Sequence, residues 1–210
     1  YSALLHAELP AVSAHSNIEY ETSTTTDWPV LRLFRERFLL SAQGDILILA
    51  DLRAIQHQQW LTQFSGLLNE GLTSQPLLIP QRLPTTQSAD WLNEYASWLQ
   101  TLGLRLTSPK SQQLIIQAVP AMLRQTDLVS TVPAILELLD GYPTVVSQAD
   151  WRSFISSWLT LPGLIPQHYS KASAQSLWQW MQNHIADWQM NTHLVQHVDI
   201  TNILEVFSRD

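Results

Sequence analysis

The feature that most constrains the fold is a change in hydrophobic spacing part-way along the chain. Up to about residue 120, short apolar runs alternate with polar residues or are bounded by Gly and Pro, which is typical of β-strands. From Leu128 onward, apolar residues recur three and four positions apart, which is typical of amphipathic helices. Early strands and late helices predict an α+β fold. The 210 residues, 45% of them hydrophobic, can form one large domain or two small ones.

The strand signals predict two hairpins and one isolated strand. LRLFRERFLL alternates, with Phe34, Phe38 and Leu40 on one face, and SAQGD then turns the chain into ILILA. LRLT and QQLIIQAV, joined by SPKS, predict the second hairpin. The run LLI between Pro76 and Pro80 predicts a short strand. Because proline has no backbone N–H, this strand must lie at a sheet edge or in an exposed connection.

Helices are predicted wherever apolar residues recur at helical spacing. Asp51 is predicted to cap a helix over 52–68 that Gly71 ends. The residues from Trp91 to Leu102 form one apolar stripe ended by Gly103. The remaining helices are predicted over Leu128–Leu139, over Trp151–Leu159 behind a capping box from Ser147 to Asp150, around Leu177–Ile185 and around Ile200–Phe207.

Composition excludes several classes of site. Eleven Lys and Arg residues against 18 Asp and Glu give a formal net charge of -7, so contact with DNA is expected to be weak, local or indirect. The absence of Cys excludes disulfides, zinc–thiolate sites and cysteine nucleophiles, and favours a reducing compartment. No apolar run approaches the roughly 20 residues that a membrane span needs. A soluble, cytoplasmic protein is predicted.

The first 26 residues differ from the rest of the chain. They are rich in Ser, Thr, Ala and His, with ETSTTTD just before Trp28, and they show no sustained period. This composition is typical of a flexible linker. Because the chain also opens on Tyr1, we expect residues 1–26 to be a linker tail that follows an upstream domain.

Two clusters could carry chemistry. His193 and His197 stand four apart and would share a face of a helix, but no Glu separates them and no third ligand is evident, so two ordinary surface or half-buried histidines are favoured over a metal site. Asp51, Arg53 and His57 follow a predicted strand, yet only one of them is a carboxylate. Helix capping is therefore the favoured role of Asp51, and no catalytic or metal site is predicted.

Three segments together resemble a known family. LFRERFLLSAQGDILILADLRA, QPLLIPQRL and LIIQAVPAMLRQTDL are similar to the C-terminal dimerisation domain of MutL-type mismatch-repair proteins, in forms from bacteria related to the enteric group. The resemblance runs from about Trp28 to the end. It implies a homodimer of two-lobed chains, with 27–70 plus 163–210 as the dimerising lobe and 71–162 as an inserted regulatory lobe. An ATPase would lie upstream of this chain.

The resemblance also bears on nuclease chemistry. Many relatives carry Asp-Gln-His-Ala at the matching helix start, then two Glu residues and a distant Cys-containing motif, which together form a metal-dependent nicking site. The matching positions here are Asp51, Leu52, Arg53, Ala54, His57 and Thr62. Without the glutamates and cysteines, two metal ions would lack ligands, so no nuclease chemistry and no cofactor are expected. The alternative is a nicking endonuclease with an unrecognised site, which nicking of supercoiled plasmid with manganese would reveal.

The family further implies a sliding-clamp-binding motif of the form Gln-x-apolar-Leu-x-Pro. It is matched by Gln75, Pro76, Leu77, Leu78, Ile79 and Pro80. An extended, proline-restrained peptide loses little entropy on docking, so the match is chemically reasonable. The alternative is an ordinary edge strand whose apolar residues face their own core. MutS, the strand-nicking protein MutH and the mismatch-repair helicase are further partners that the family implies.

A dimer interface is predicted from surplus apolar surface on the first hairpin and the helix after Asp51. The residues assigned to it are Phe34, Phe38, Ile55, Trp60, Phe64 and Leu68. A monomer would expose part of this surface, which soluble proteins generally avoid. The alternative is that the last predicted helix, through Ile203, Leu204 and Phe207, covers it within one chain.

Overall fold

The computed structural model describes residues 28–110 and 112–199. In these ranges the chain forms seven strands and six α-helices, with two short 3-10 helices at Ala121–Leu123 and Trp188–Met190. The strands are β1 (Val30–Phe34), β2 (Phe38–Gln43), β3 (Ile46–Asp51), β4 (Ser74–Pro84), β5 (Arg105–Lys110), β6 (Gln113–Pro120) and β7 (Val195–His197). The helices are α1 (Leu52–Ser65), α2 (Ala89–Glu94), α3 (Ala96–Thr101), α4 (Leu128–Leu139), α5 (Gln148–Trp158) and α6 (Lys171–His184). The predicted α+β class is confirmed.

The strands form two antiparallel sheets. Sheet A has the order β1-β2-β3-β7, and sheet B has the order β4-β6-β5. In sheet A, Leu39 pairs with Ala50 and Ser41 pairs with Ile48, and all four residues are fully buried. Because side chains alternate along a strand, the residues between them point to the opposite face of the sheet.

The first hairpin differs from its prediction. LRLFRERFLL is two strands rather than one, since the chain reverses at Arg35 and Glu36, which have φ angles of 48° and 53°. Arg35 and Glu36 therefore form a tight turn of a kind in which Asn or Gly usually occupies these positions. Because this chain has neither Asn nor Gly there, the sequence did not predict the turn. Phe34 pairs directly with Phe38, so both share a face with Leu40 as predicted, but across two strands.

Sheet B follows its prediction more closely. The second hairpin forms as β5 and β6. The segment with Pro76 and Pro80 is an edge strand, as the prolines require, but β4 is longer than predicted and contains both of them. Pro76 is the last residue paired with β6 before the ladder is interrupted, and Pro80 lies within the interruption, so the strand keeps its pairing on both sides of it.

Helix starts match their predictions better than helix ends. The side chain of Asp51 accepts a hydrogen bond from the Arg53 backbone N–H at 3.0 Å, and the Ser147 side chain accepts one from Asp150 N–H at 3.2 Å, so both predicted caps are confirmed. However, α1 ends at a cap on Gly66 rather than at Gly71. The stripe from Trp91 to Leu102 is two short helices that meet at Tyr95.

Two groups of buried side chains form the core. The sheet A cluster contains Trp28, Leu39, Ile48, Ala50, Leu52, Ile55, Tyr169, Ala174, Leu177, Trp178, Met181, Trp188, Leu194 and Val195. The sheet B cluster draws its buried residues from Leu72 through Leu164. The division into two lobes stays a prediction. Helix α1 joins the clusters, since Ile55 lies in the first and Phe64 packs against the second.

The C-terminal part of the chain contains a strand that the sequence did not predict. β7 pairs with β3 and carries His197, whereas His193 precedes the strand in a turn. The two histidines therefore do not share a helix face. The predicted helix around Ile200–Phe207 lies outside the described residues. Within the two described ranges, no helix combines the length and hydrophobicity needed to cross a bilayer.

Candidate protein-docking site on an edge strand

The segment Gln75–Pro80 forms a bulge in the exposed edge of sheet B. Pro76 is opposite Ala118 and Gln81 is opposite Ile116, so the four residues between them face the single residue Gln117. This excess length forces the backbone away from the ladder. As a result, Leu78 is 95% exposed and Ile79 is 81% exposed.

Two residues of this segment, Gln75 and Leu77, are anchored to the protein. Leu77 packs against the sheet B cluster, and Gln75 is paired with Val119. The guanidinium of Arg124 donates a hydrogen bond from Nη1 to Oε1 of Gln75 at 3.1 Å. The segment therefore presents two free apolar side chains on a backbone that is held at both ends. The bond to Arg124 also orients its Gln side chain.

Sheet A has a second, open face. Phe34, Phe38, Leu40, Leu47 and Leu49 lie on it, because each alternates with or pairs across from residues of the buried face. All five are at least partly exposed, and none packs against either buried cluster. The guanidinium groups of Arg32 and Arg37 lie over the Phe34 and Phe38 rings, at 5.5 and 4.8 Å from their centroids. These five apolar residues form the open face of sheet A.

The six residues predicted for a dimer interface do not lie on one surface. Phe34 and Phe38 are on the open face, whereas Ile55 is fully buried within the chain and has no surface to offer a partner. Trp60, Phe64 and Leu68 are half-buried and pack against the sheet B cluster. The Trp151 indole N–H donates to the Phe64 carbonyl oxygen at 2.8 Å, which ties α1 to α5. Other helices of the same chain thus cover much of the surplus apolar surface on α1.

Asp51 is fully engaged by protein groups. Arg37 donates from Nε to Oδ1 at 3.0 Å and from Nη2 to Oδ2 at 2.5 Å, and Arg53 N–H adds a third bond to Oδ1. Burial opposes ionisation of Asp51, but these hydrogen bonds and the charge of Arg37 outweigh it and hold the pKa of Asp51 below its usual value. The carboxylate stabilises the junction between the first hairpin and α1.

The residues at the family's nuclease positions do not fit a metal. Both oxygens of Asp51 are already bonded to Arg37, and the Thr62 hydroxyl donates to the Gln58 carbonyl oxygen at 2.9 Å within α1. Burial lowers the pKa of His57 and so favours its neutral form, but no carboxylate stands with it at the family positions. Over the described ranges, no three His, Cys, Asp or Glu side chains are grouped closely enough to hold an ion.

Comparison with known proteins assigns the family. The model of the MutL C terminal dimerisation domain matches residues 31–167, more than half of the chain and all of its elements from β2 to α5. The chain belongs to the MutL C-terminal dimerisation domain family. The match includes the open face of sheet A and the bulge in β4, so both features lie in the part of the chain that defines this domain.

Three relatives named DNA mismatch repair protein MutL show how far the similarity extends. The protein from Tolumonas auensis is 57% identical over 211 residues, which cover 100% of this chain and 36% of the relative. The proteins from Aeromonas salmonicida and Aliivibrio salmonicida are each 30% identical, over 87% and 86% of this chain and 29% and 28% of their own lengths. The chain thus spans about a third of the length of the curated relatives it matches.

Sequence reasoning missed several residues at these sites. Leu47 and Leu49 complete the open face, and the signal was present in ILILA, because a strand that is apolar on both faces is usually covered on both. Leu40 was predicted to share a face with Phe34 and Phe38 but was not assigned to the interface. Arg124 was missed because it lies 49 positions from Gln75, and no local pattern connects the two.

Proposed function

We propose that this chain is the self-association and partner-docking module of a cytoplasmic DNA mismatch repair protein. In this proposal the open face of sheet A forms a homodimer, Gln75–Pro80 binds the DNA polymerase sliding clamp, and the chain has no nuclease chemistry of its own. The observation that carries the docking function is the exposure of Leu78 and Ile79 in an anchored bulge. The family assignment supports the self-association function.

The bulge has the chemistry of a preorganised peptide ligand. Its flanking pairs with β6 and the fixed φ of Pro76 and Pro80 limit the backbone entropy that docking would remove. The Leu78 side chain is almost entirely exposed in this chain, so it is available to fill an apolar pocket on the clamp. Gln75 would hydrogen-bond at the pocket rim with its carboxamide N–H groups, which the bond from Arg124 to its oxygen does not use.

The docking function is tested by titrating the clamp with single variants. Fully burying a Leu is worth about 1.5–3 kcal/mol, so Leu78→Ala should weaken clamp binding roughly ten- to a hundredfold. Gln75→Ala should cost roughly two- to tenfold, the net effect of one hydrogen bond. Val145→Ala removes an apolar side chain of similar exposure outside the segment and should leave the affinity unchanged. Equal affinities of wild type and Leu78→Ala, with both chains folded, would reject the assignment.

The open face supports self-association through its composition and position. Its five apolar side chains lie on the two central strands and the adjacent edge of sheet A, and they form a continuous strip rather than scattered contacts. Two copies related by a two-fold axis would cover this strip mutually. We therefore assign Phe34 and Phe38 to the proposed interface together with Leu40, Leu47 and Leu49. Ile55 is omitted because it is buried, and Trp60, Phe64 and Leu68 because they pack within the chain.

The proposed lack of nuclease chemistry rests on the state of Asp51. A metal ion would have to displace the bidentate guanidinium of Arg37 and would still find no second carboxylate at the family positions, where His57 and Thr62 stand. MutS, MutH and the mismatch-repair helicase are proposed partners of the whole protein, on the strength of the family alone.

A further inference from the structure

Strand β5 forms an open edge of sheet B. The order β4-β6-β5 makes β4 and β5 the two edges of this sheet. A bulge and two prolines interrupt the edge at β4, whereas β5 is a regular strand next to β6 over residues 106–107. Over the described ranges, no backbone group of residues 105–108 bonds to a loop or a helix outside the sheet. The outer edge of β5 therefore presents unpaired N–H and C=O groups.

A groove of about 510 Å³ lies beside this edge and is lined by residues of β5, α2 and α3. Its volume is within the range of about 300–1,000 Å³ that is usual for ligand sites. The lining is apolar at its base, since Leu99 and Leu104 are buried and Leu92 and Leu106 pack partly exposed against the sheet B cluster. Ala96 is exposed in the wall of the groove and leaves it open. The groove can therefore accept apolar side chains next to the unpaired backbone of β5.

The groove is basic although the chain has a formal net charge of -7. Among the described residues, Arg105 is the one charged residue in the lining, and it is exposed and forms no ion pair with any of them. Lys110 stands at the other end of β5 and is exposed and unpaired in the same sense. Asp90 and Glu94 belong to α2 but do not line the groove. Charge complementarity therefore favours an acidic ligand over a basic one.

The register of β5 gives the two faces beside it different chemistry. Leu106 pairs with the buried Ile116, so it lies on the face that packs against the helices. Lys110 pairs with Gln113, which alternates with the buried Leu114, so it lies on the outer face. A strand added beside β5 would direct its side chains alternately into the groove and onto the outer face. Apolar residues suit the first set of positions and acidic residues suit the second.

We propose that the outer edge of β5 binds an extended segment of a partner protein, in which apolar and acidic residues alternate, as a fourth strand of sheet B. The peptide backbone satisfies the unpaired groups of β5 and supplies the affinity, while the side chains supply the specificity. Its apolar side chains fill the groove beside Leu92 and Leu106, and its carboxylates pair with Arg105 and Lys110. The proposal does not depend on clamp binding, because 75–80 lies on the opposite edge of the sheet.

The test titrates the fluorescein-labelled peptide EVEVEVEV with the 210-residue chain and follows fluorescence anisotropy. This peptide should bind with a Kd below about 1 mM, whereas the peptide KVKVKVKV should not bind in that range. Arg105→Glu with Lys110→Glu should weaken binding of EVEVEVEV about tenfold or more, because attraction at two positions becomes repulsion. Ala96→Trp places a large side chain in the groove and should abolish binding.

Matched controls make the same changes at exposed sites away from the groove. Arg152→Glu with Lys171→Glu changes the net charge equally on α5 and α6, and Ala172→Trp adds the same side chain on α6. Both controls should bind EVEVEVEV as the wild type does. Equal weakening by the two charge variants would assign the effect to net charge and overturn the proposal, as would full affinity of a folded Ala96→Trp variant or equal binding of KVKVKVKV.

Strand addition itself is tested on the wild-type chain with two N-methylated forms of EVEVEVEV. Successive backbone N–H groups of a strand point to opposite edges, so methylation of every Val nitrogen blocks one edge of the peptide and methylation of every Glu nitrogen blocks the other. One form should bind as the unmodified peptide does, and the other should lose binding. Equal affinities of the two forms, or undetectable binding of the unmodified peptide, would overturn the proposal without relying on any variant of the chain.

Discussion

Asp51 connects two elements through one carboxylate. It caps α1 through Arg53 N–H and binds the guanidinium of Arg37, which directly precedes β2, through both oxygens. The cap needs only a hydrogen-bond acceptor, whereas the pair with Arg37 needs a negative charge. The two contributions can therefore be separated by a substitution that keeps the acceptor and removes the charge.

Asp51→Asn is expected to lower the free energy of unfolding by about 1 kcal/mol at pH 7, because Asn still caps a helix but cannot pair with Arg37. Since the folded pKa of Asp51 lies below its unfolded value, the charge stabilises the fold above about pH 4 and the benefit is lost as pH falls through the folded pKa. Urea unfolding from pH 3 to 8 should show the difference between wild type and variant closing at the acid end.

Asp127→Asn is the control for this prediction. Asp127 caps α4 by accepting from Val129 N–H at 3.1 Å, and it forms no ion pair with a described residue. Its substitution should therefore cost less than Asp51→Asn at pH 7. Equal losses for the two variants would show that the pair with Arg37 contributes nothing measurable.

At the scale of elements, the junction between α3 and β5 depends on close backbone contact. Gly103 has a φ of 66°, and a Cβ built on it would lie 2.5 Å from the Leu72 carbonyl oxygen. The helix pair α2–α3 can turn into sheet B only because this position has no side chain. Gly44, in the turn between β2 and β3, has a similar φ of 58° but nothing within 4 Å of its Cβ position.

Gly103→Ala is expected to cost about 3 kcal/mol or more, since the backbone strain of a left-handed residue is added to a clash with the backbone carbonyl oxygen of Leu72. Gly44→Ala should cost only the strain, about 1 kcal/mol. Urea midpoints of the two variants measure the difference. If the two losses are equal, the contact between Gly103 and Leu72 does not limit the packing of this junction.

At the scale of the whole molecule, the open face of sheet A predicts the oligomeric state. Light scattering should give a mass twice the 23.9 kDa of the chain at micromolar concentration, since obligate interfaces commonly bury on the order of 2,000 Å² and dissociate little on dilution. Leu40→Glu places a charge on the open face and should give a folded monomer. Val145→Glu places the same charge at a distant exposed site and should remain dimeric.

The outcomes of this experiment separate the alternatives. A wild-type mass near 23.9 kDa would contradict the dimer. If the Leu40→Glu variant is still a dimer, the interface does not lie on the open face, and the exposed parts of Trp60, Phe64 and Leu68 on α1 become the next candidates.

Much of the architecture could be predicted from local sequence. The order of elements, the caps at Asp51 and Ser147, and the edge position of the strand with Pro76 and Pro80 all depend on residues within a few positions of one another. Such features follow from which backbone groups a side chain can satisfy or remove, and these are the same in any fold. The edge position of this segment was predictable for this reason, whereas its docking role stays a proposal that came from the family resemblance.

Only the tertiary structure decided the features that join residues distant in the chain. The reversal at Arg35 and Glu36 has positive φ angles that no local residue preference signals, and the surrounding sheet must hold it in place. Periodicity placed Ile55 on an apolar stripe but could not say that α6 and sheet A would bury it. Likewise, Arg82 and Lys110 are 28 positions apart and share a face only because β6 pairs between their strands. Burial and proximity are properties of the packed whole, so a stretch of sequence alone does not contain them.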